Sequence, residues 1–134
     1  MNNICVLLVD DEVDFLSVML KRLKKRNIQC YGFHSGEEAL LFLNQHDVDV
    51  DVVILDVRMQ FMSGIETLTV IKEKYPLIEV IMLTGHACLD VAKQGMAYGA
   101  FDYFMKPVDV DELMFKIQDA YQKKQLKQKK QKTD

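Results

Sequence analysis

Val52-Val53-Ile54-Leu55-Asp56-Val57-Arg58-Met59 is the stretch that decides the fold: an apolar run stops on a carboxylate, and Ser63-Gly64 follows. Residues 52–55 are mostly β-branched and too few for a helix. They predict a strand buried on both faces, as in a parallel sheet. Asp56 then falls at the carboxyl end of that strand, the edge where open α/β sheets bind ligands. Alone, an Asp in this place is an ordinary turn residue. The segments on either side give it company.

Working outward, residues 4–9 form a second apolar run, ending in Asp10-Asp11. Phe15, Met19, Leu20 and Leu23 fall at helical spacing within residues 14–26, with basic residues late in the segment. Residues 28–33 read as a strand. Ser35-Gly36-Glu37-Glu38 reads as a capping box that opens a helix with Ala39, Leu40 and Leu43 inward. After Asp56, Ser63-Gly64-Ile65-Glu66 opens another helix, which Pro76 stops. Residues 78–83 predict a strand ending at Thr84-Gly85, and residues 88–98 a helix closed by Gly99. Residues 101–105 predict the fifth strand, ending at Lys106-Pro107. Asp109-Val110-Asp111-Glu112 starts the fifth helix, with Val110, Leu113, Ile117 and Tyr121 on one face. Five strand-helix units predict an α/β fold: a five-stranded parallel sheet, doubly wound, with five helices and the flavodoxin-like order 2-1-3-4-5.

The chain of 134 residues is long enough for one domain with a core; 49% of it is apolar and 28% charged, which excludes a disordered chain. No apolar run is long enough for a membrane helix, and the first run meets two acids at once, so no signal peptide is expected. Cys5, Cys30 and Cys88 are scattered; the first two read as small core residues in a reducing cytoplasm. Residues 123–134 carry six lysines and one acid. The other 122 residues hold 11 basic and 19 acidic side chains, a body unsuited to nucleic acid by charge alone. The apolar stripe fades after Tyr121, so residues 1–122 are taken as the domain. The lysine-rich tail is expected to be a frayed helix end, a disordered extension or the start of a linker. A role for it in touching nucleic acid or acidic lipid stays open beside a solvated end.

Four of the five strands end in a reactive side chain: Asp10 and Asp11, Asp56, Thr84, and Lys106. In the order 2-1-3-4-5 these strands are neighbours, so the residues share one crevice. Three carboxylates there repel and raise one another's pKa unless a cation is present. All-oxygen ligands favour a hard ion such as Mg²⁺. Asp56 is a possible nucleophile toward phosphorus, and Thr84 and Lys106 suit a phosphoryl group.

With Val9-Asp10-Asp11, Asp56 followed by Met59 and Gly64, Leu83-Thr84-Gly85, and Gly99-Ala100-Phe101-Asp102-Tyr103-Phe104-Met105-Lys106-Pro107, the chain resembles the receiver domain of bacterial two-component response regulators over residues 3–122. The resemblance implies that Asp56 accepts a phosphoryl group from a phosphohistidine on a sensor kinase or phosphotransfer protein. It implies Mg²⁺ held by Asp11, Asp56 and the backbone carbonyl of Arg58, with Asp10 acting through water. Lys106 would pair with the phosphoryl oxygens, Thr84 would move to bond them, and Tyr103 would turn inward. The Lys106-Pro107 bond would be cis. Arg58 and His86 occupy the positions that tune hydrolysis of the aspartyl phosphate. The fourth helix, fifth strand and fifth helix would form the output face for a downstream protein or output domain, or for a phosphorylation-linked homodimer, with Tyr103 and Met105 reaching it. The protein would be a cytoplasmic signalling phosphoacceptor, assisting its own phosphorylation and dephosphorylation, and not an enzyme in the turnover sense.

Four positions depart from the family pattern. Gln60 replaces the usual proline, which implies a looser loop after Asp56, and Ser63 replaces Asp or Asn. Lys93 and Val91 exchange the usual apolar and polar characters on the fourth helix. Two other functions fit parts of the pattern. A haloacid-dehalogenase-like phosphatase would use Asp10 as nucleophile with an Asp two residues on, where this chain has Glu12. An unphosphorylated adaptor would not need the full set of acids, Thr and Lys.

Overall fold

The computed structural model describes residues 3–133. Strands β1 (Cys5–Val9), β2 (Gln29–Phe33), β3 (Val52–Asp56), β4 (Glu79–Thr84) and β5 (Asp102–Met105) pair in parallel in the order β2-β1-β3-β4-β5. Helices α1 (Val13–Lys25), α2 (Gly36–His46), α3 (Gly64–Lys74), α4 (Leu89–Gln94) and α5 (Val110–Thr133) cover both faces. No described helix is long and apolar enough to cross a membrane.

Successive strand side chains point to opposite faces, so each central strand feeds two cores. Val6 and Leu8 of β1, with Val52 and Ile54 of β3, pack with Leu16, Met19 and Leu23 of α1 and Leu113 and Ile117 of α5. Leu7 and Val9, with Val53 and Leu55, pack instead with Leu43 of α2, Leu68 and Ile71 of α3 and Ala92 of α4. Burial on both sides is why these strands read as unbroken apolar runs. Cys5 and Cys30 lie in these cores as free thiols, and burial pushes the Cys5 thiol up to about 11.

The helix starts follow their cap sequences. Ser63 completes a reciprocal capping box: its Oγ accepts from Glu66 N at 3.1 Å, and Glu66 Oε1 accepts from Ser63 N at 3.0 Å. Such a cap stabilises by about 1 kcal/mol. At α2 the box is incomplete, because the Glu38 carboxylate takes the N–H of His34 while Ser35 Oγ takes that of Glu38. Residues 88–98 are not one helix. Six residues of α4 lie between two 3₁₀ turns, His86–Cys88 and Gly95–Tyr98. Gly99 closes the segment at φ 100°, a conformation that favours glycine.

The expected frayed or disordered tail is helical. The apolar stripe does end near Tyr121, but α5 runs on to Thr133. Lys124 and Lys127 continue the inward face after Ala120, at helical spacing. Their partners are acids at the amino-terminal ends of β3 and β4. Asp134 lies outside the described residues.

Candidate functional site

The carboxyl ends of β1, β3, β4 and β5 bring Asp10, Asp11, Asp56, Thr84 and Lys106 to one edge of the sheet. Backbone bonds set the loops: Val57 N donates to Leu83 O at 2.9 Å, and Lys106 N to Thr84 O at 2.8 Å. A side chain at Gly64 would run into the backbone of Asp56 and Val57, so only glycine lets α3 start this close to the strand end. The Lys106–Pro107 peptide bond is cis.

Asp10 is fully buried. Its Oδ1 accepts from Glu12 N at 2.9 Å and its Oδ2 from Lys106 Nζ at 2.9 Å. Asp56 is 5% exposed; its Oδ1 accepts from Arg58 N at 3.4 Å and its Oδ2 lies 3.9 Å from Lys106 Nζ. Asp11 is half-buried and accepts from Gln60 N at 3.4 Å. One oxygen from each of these three carboxylates lies within 4.8 Å of the others, a spacing that suits a shared cation. A cavity of about 510 Å³ opens beside them, lined by Asp11, Asp56, Arg58, Gln60, Thr84 and Lys106 among others.

Asp56 carries the imbalance. Burial first, then the charge of Asp10, pushes its carboxyl up to about 7, against the pull of Lys106 and the Arg58 N–H. Burial works against the Lys106 ammonium, yet its bond to Asp10, the charges of Asp56 and Asp10, and its bond to Glu12 hold its pKa above the ordinary value. Thr84 is buried, and its hydroxyl donates to the carbonyl of Gly85 at 2.8 Å. Tyr103 is half-buried against the core beneath α2, α3 and α4.

Arg58 lines the cavity; His86 is exposed and lies outside the lining, although Gly85 and Ala87 on either side belong to it. The loop expected to be looser at Gln60 is tied to Asp11 by the Gln60 N–H, a bond that proline has no donor to make. Two partners of Lys106 were not read as such from the sequence. Glu12 Oε1 lies 3.1 Å from its Nζ, and the ring of Phe15 lies under it at 4.4 Å. Glu12, two residues after Asp10, was considered only as a misplaced catalytic acid. Phe15 fits a helical stripe, so nothing local marked it as a lysine partner. Cys88 also reaches the cavity wall.

Three comparisons place this geometry among known proteins. The family model of the response regulator receiver domain matches residues 6–118. The DNA-binding transcriptional regulator NtrC of Proteus hauseri is 36% identical over 115 residues, covering 86% of this chain and 24% of that protein. The heme response regulator HssR of Staphylococcus saprophyticus is 39% identical over 111 residues, covering 83% of this chain and 48% of that protein. The chain thus spans about a quarter to a half of these relatives. A receiver domain structure from Clostridium thermocellum has TM-score 0.88 at 35% identity, covering 92% of this chain and 98% of that one. NtrX from Brucella abortus has TM-score 0.91 at 27% identity, covering 99% of this chain and 30% of that one. With the order β2-β1-β3-β4-β5 and the acidic strand ends, the chain belongs to the response regulator receiver domain family.

Proposed function

We propose that this domain takes a phosphoryl group from a phosphohistidine on a sensor kinase or phosphotransfer protein onto Asp56. The observation that carries the reading is the excess of buried carboxylate over lysine at the strand ends, with Asp56 the acid that both lines the cavity and holds a raised pKa. A carboxylate oxygen of Asp56 attacks phosphorus. An O–P bond forms, the N–P bond of the phosphohistidine breaks, and the nitrogen leaves with the electron pair. The donor set fits Mg²⁺: Asp11, Asp56 and the Arg58 carbonyl would hold it, with Asp10 acting through water. Mg²⁺ would offset the repulsion that keeps a proton on Asp56 and neutralise charge on the phosphoryl oxygens.

Lys106 is positioned to exchange part of its contact with Asp10 for the new phosphoryl oxygens. The Thr84 hydroxyl, now on Gly85 O, turns to the same group, and Tyr103 moves into the space that the loop vacates. The surface of α4, β5 and α5 then changes for a downstream partner, an output domain or a second copy. Arg58, at the cavity wall, shields the phosphoryl group from water, while the exposed His86 has the smaller part in its hydrolysis.

A phosphatase using Asp10 is disfavoured, because both Asp10 oxygens are engaged and the residue is fully buried outside the cavity lining. The test is intact mass after incubation with a small acyl phosphate and Mg²⁺. One phosphoryl group is expected on the wild type and none on Asp56→Asn. Modification persisting in Asp56→Asn would overturn the assignment, and phosphate-ester turnover dependent on Asp10 would restore the rival.

A further inference from the structure

At the opposite edge of the sheet, two acids meet the lysines of the tail. Lys124 is 5% exposed, and its Nζ donates to Val50 O at 3.0 Å and Asp51 Oδ1 at 2.8 Å. The other oxygen of Asp51 accepts from Cys5 N at 2.8 Å, so one carboxylate ties the foot of β1 to α5. Glu79, at the start of β4, is fully buried. Lys127 Nζ lies 2.7 Å from its Oε2, with Lys72 and Lys123 at 3.8 and 3.9 Å from its Oε1. None of these approaches has hydrogen-bond angles, and neither oxygen of the Glu79 carboxylate has a hydrogen-bond partner among the described residues. Charge is therefore what holds the Glu79 carboxylate in place, and burial makes that charge matter. Lys72 is itself fixed from α3 by the carbonyls of Pro76 and Ile78.

We propose that Asp51 and Glu79 form a two-point ionic lock that holds the lysine-rich end of α5 to the feet of β3 and β4. The segment past Tyr121 offers Leu126 as its apolar residue, and Leu126 is 69% exposed, so apolar packing does not dock it. An undocked helix end of glutamine and lysine frays. The lock makes it a rigid continuation of the domain and neutralises Lys124 and Lys127 internally. The same two strands carry Asp56 and Thr84 at their other ends. The end of α5 therefore moves as one body with the strands that hold the phosphoacceptor and the switch hydroxyl.

Hydrogen exchange on the full chain tests this lock. Amides of residues 121–128 should be protected in the wild type and should exchange at least about tenfold faster in Lys124→Met and in Lys127→Ala. Residues 110–118 should keep their protection, and modification of Asp56 by an acyl phosphate should stay within about twofold of wild type. Lys127→Ala keeps good helix propensity and changes a half-buried position, so it reports even where Lys124→Met fails to fold. Unchanged exchange of residues 121–128 in Lys127→Ala would overturn the lock, as would rapid exchange of these amides in the wild type.

Discussion

The two ends of one parallel sheet use the same components, buried carboxylates and lysines, in opposite proportions. At the carboxyl end, Asp10 and Asp56 share Lys106, Asp11 stands within the same carboxylate cluster, and an open cavity adjoins them. At the amino end, Asp51 and Glu79 meet Lys72, Lys123, Lys124 and Lys127, and the pairs close on themselves. A buried charge is stabilising only when it is matched. At the amino end each buried acid has at least one lysine against it, and this end serves the fold. The carboxyl end is left short of positive charge, and in the proposed function that deficit is what a cation and a phosphoryl donor would exploit.

Two isosteric substitutions should therefore act with opposite sign. Asp51→Asn leaves Lys124 buried without its anion and should destabilise the domain by about 3 kcal/mol. Asp56→Asn removes a repelled, buried carboxylate and should stabilise the metal-free protein by about 2 kcal/mol at neutral pH. Urea unfolding of both variants checks the pair. Destabilisation by Asp56→Asn of the same size as by Asp51→Asn would erase the distinction between the two ends.

The pH dependence sharpens the contrast. Asp56 titrates near 7 when folded, against 3.8 for an ordinary Asp. Between those values the folded state holds a proton that the unfolded chain has released. Stability therefore falls as pH rises from about 4 to about 7 and then levels, with up to about 2 kcal/mol from this group after allowance for solvent. The difference between the wild-type and Asp56→Asn curves isolates it. A flat difference across that window would show that Asp56 is not strained by its neighbours. Mg²⁺ added above pH 7 should raise the wild-type midpoint more than that of the variant.

The uneven legibility of the sequence has the same origin. The carboxyl end could be read because each reactive side chain directly follows an apolar run, so position along the chain gave position in space. The sheet order followed from the five repeats for the same reason. The amino end could not be read this way. Lys124 meets Asp51 from 73 residues away, and no local pattern pairs them. One signal was present: Glu79 falls inside a run predicted to be buried, and a charge there needs partners. Lys127 among them follows the buried Ala120 of α5 at i+7, and Lys124, the partner of Asp51, at i+4, a helical stripe continued in charge instead of in carbon. The position of His86 was also not legible along the chain. Two residues past Thr84 looked close to the site, but the chain turns there into a 3₁₀ segment and leaves the side chain exposed.

The smallest expected effect concerns Gln60, where the resemblance called for proline. Its N–H reaches Asp11 Oδ2 at 3.4 Å, a long bond to a half-buried acid on the cavity wall. The bond holds the Asp11 carboxylate in place before any cation arrives, and it acts through the backbone and not through the glutamine side chain. Gln60→Pro removes the donor, while Gln60→Ala retains it. The proline variant should therefore bind Mg²⁺ about two- to fivefold more weakly, as the loss of one modest hydrogen bond implies, and the alanine variant should match wild type. Calorimetric titration with Mg²⁺ separates the three proteins. Equal affinity in all of them would show that the loop holds Asp11 without this bond. Equal weakening in both variants would assign the effect to the side chain. Because the loss falls on metal binding, full modification of Asp56 should return in Gln60→Pro at saturating Mg²⁺.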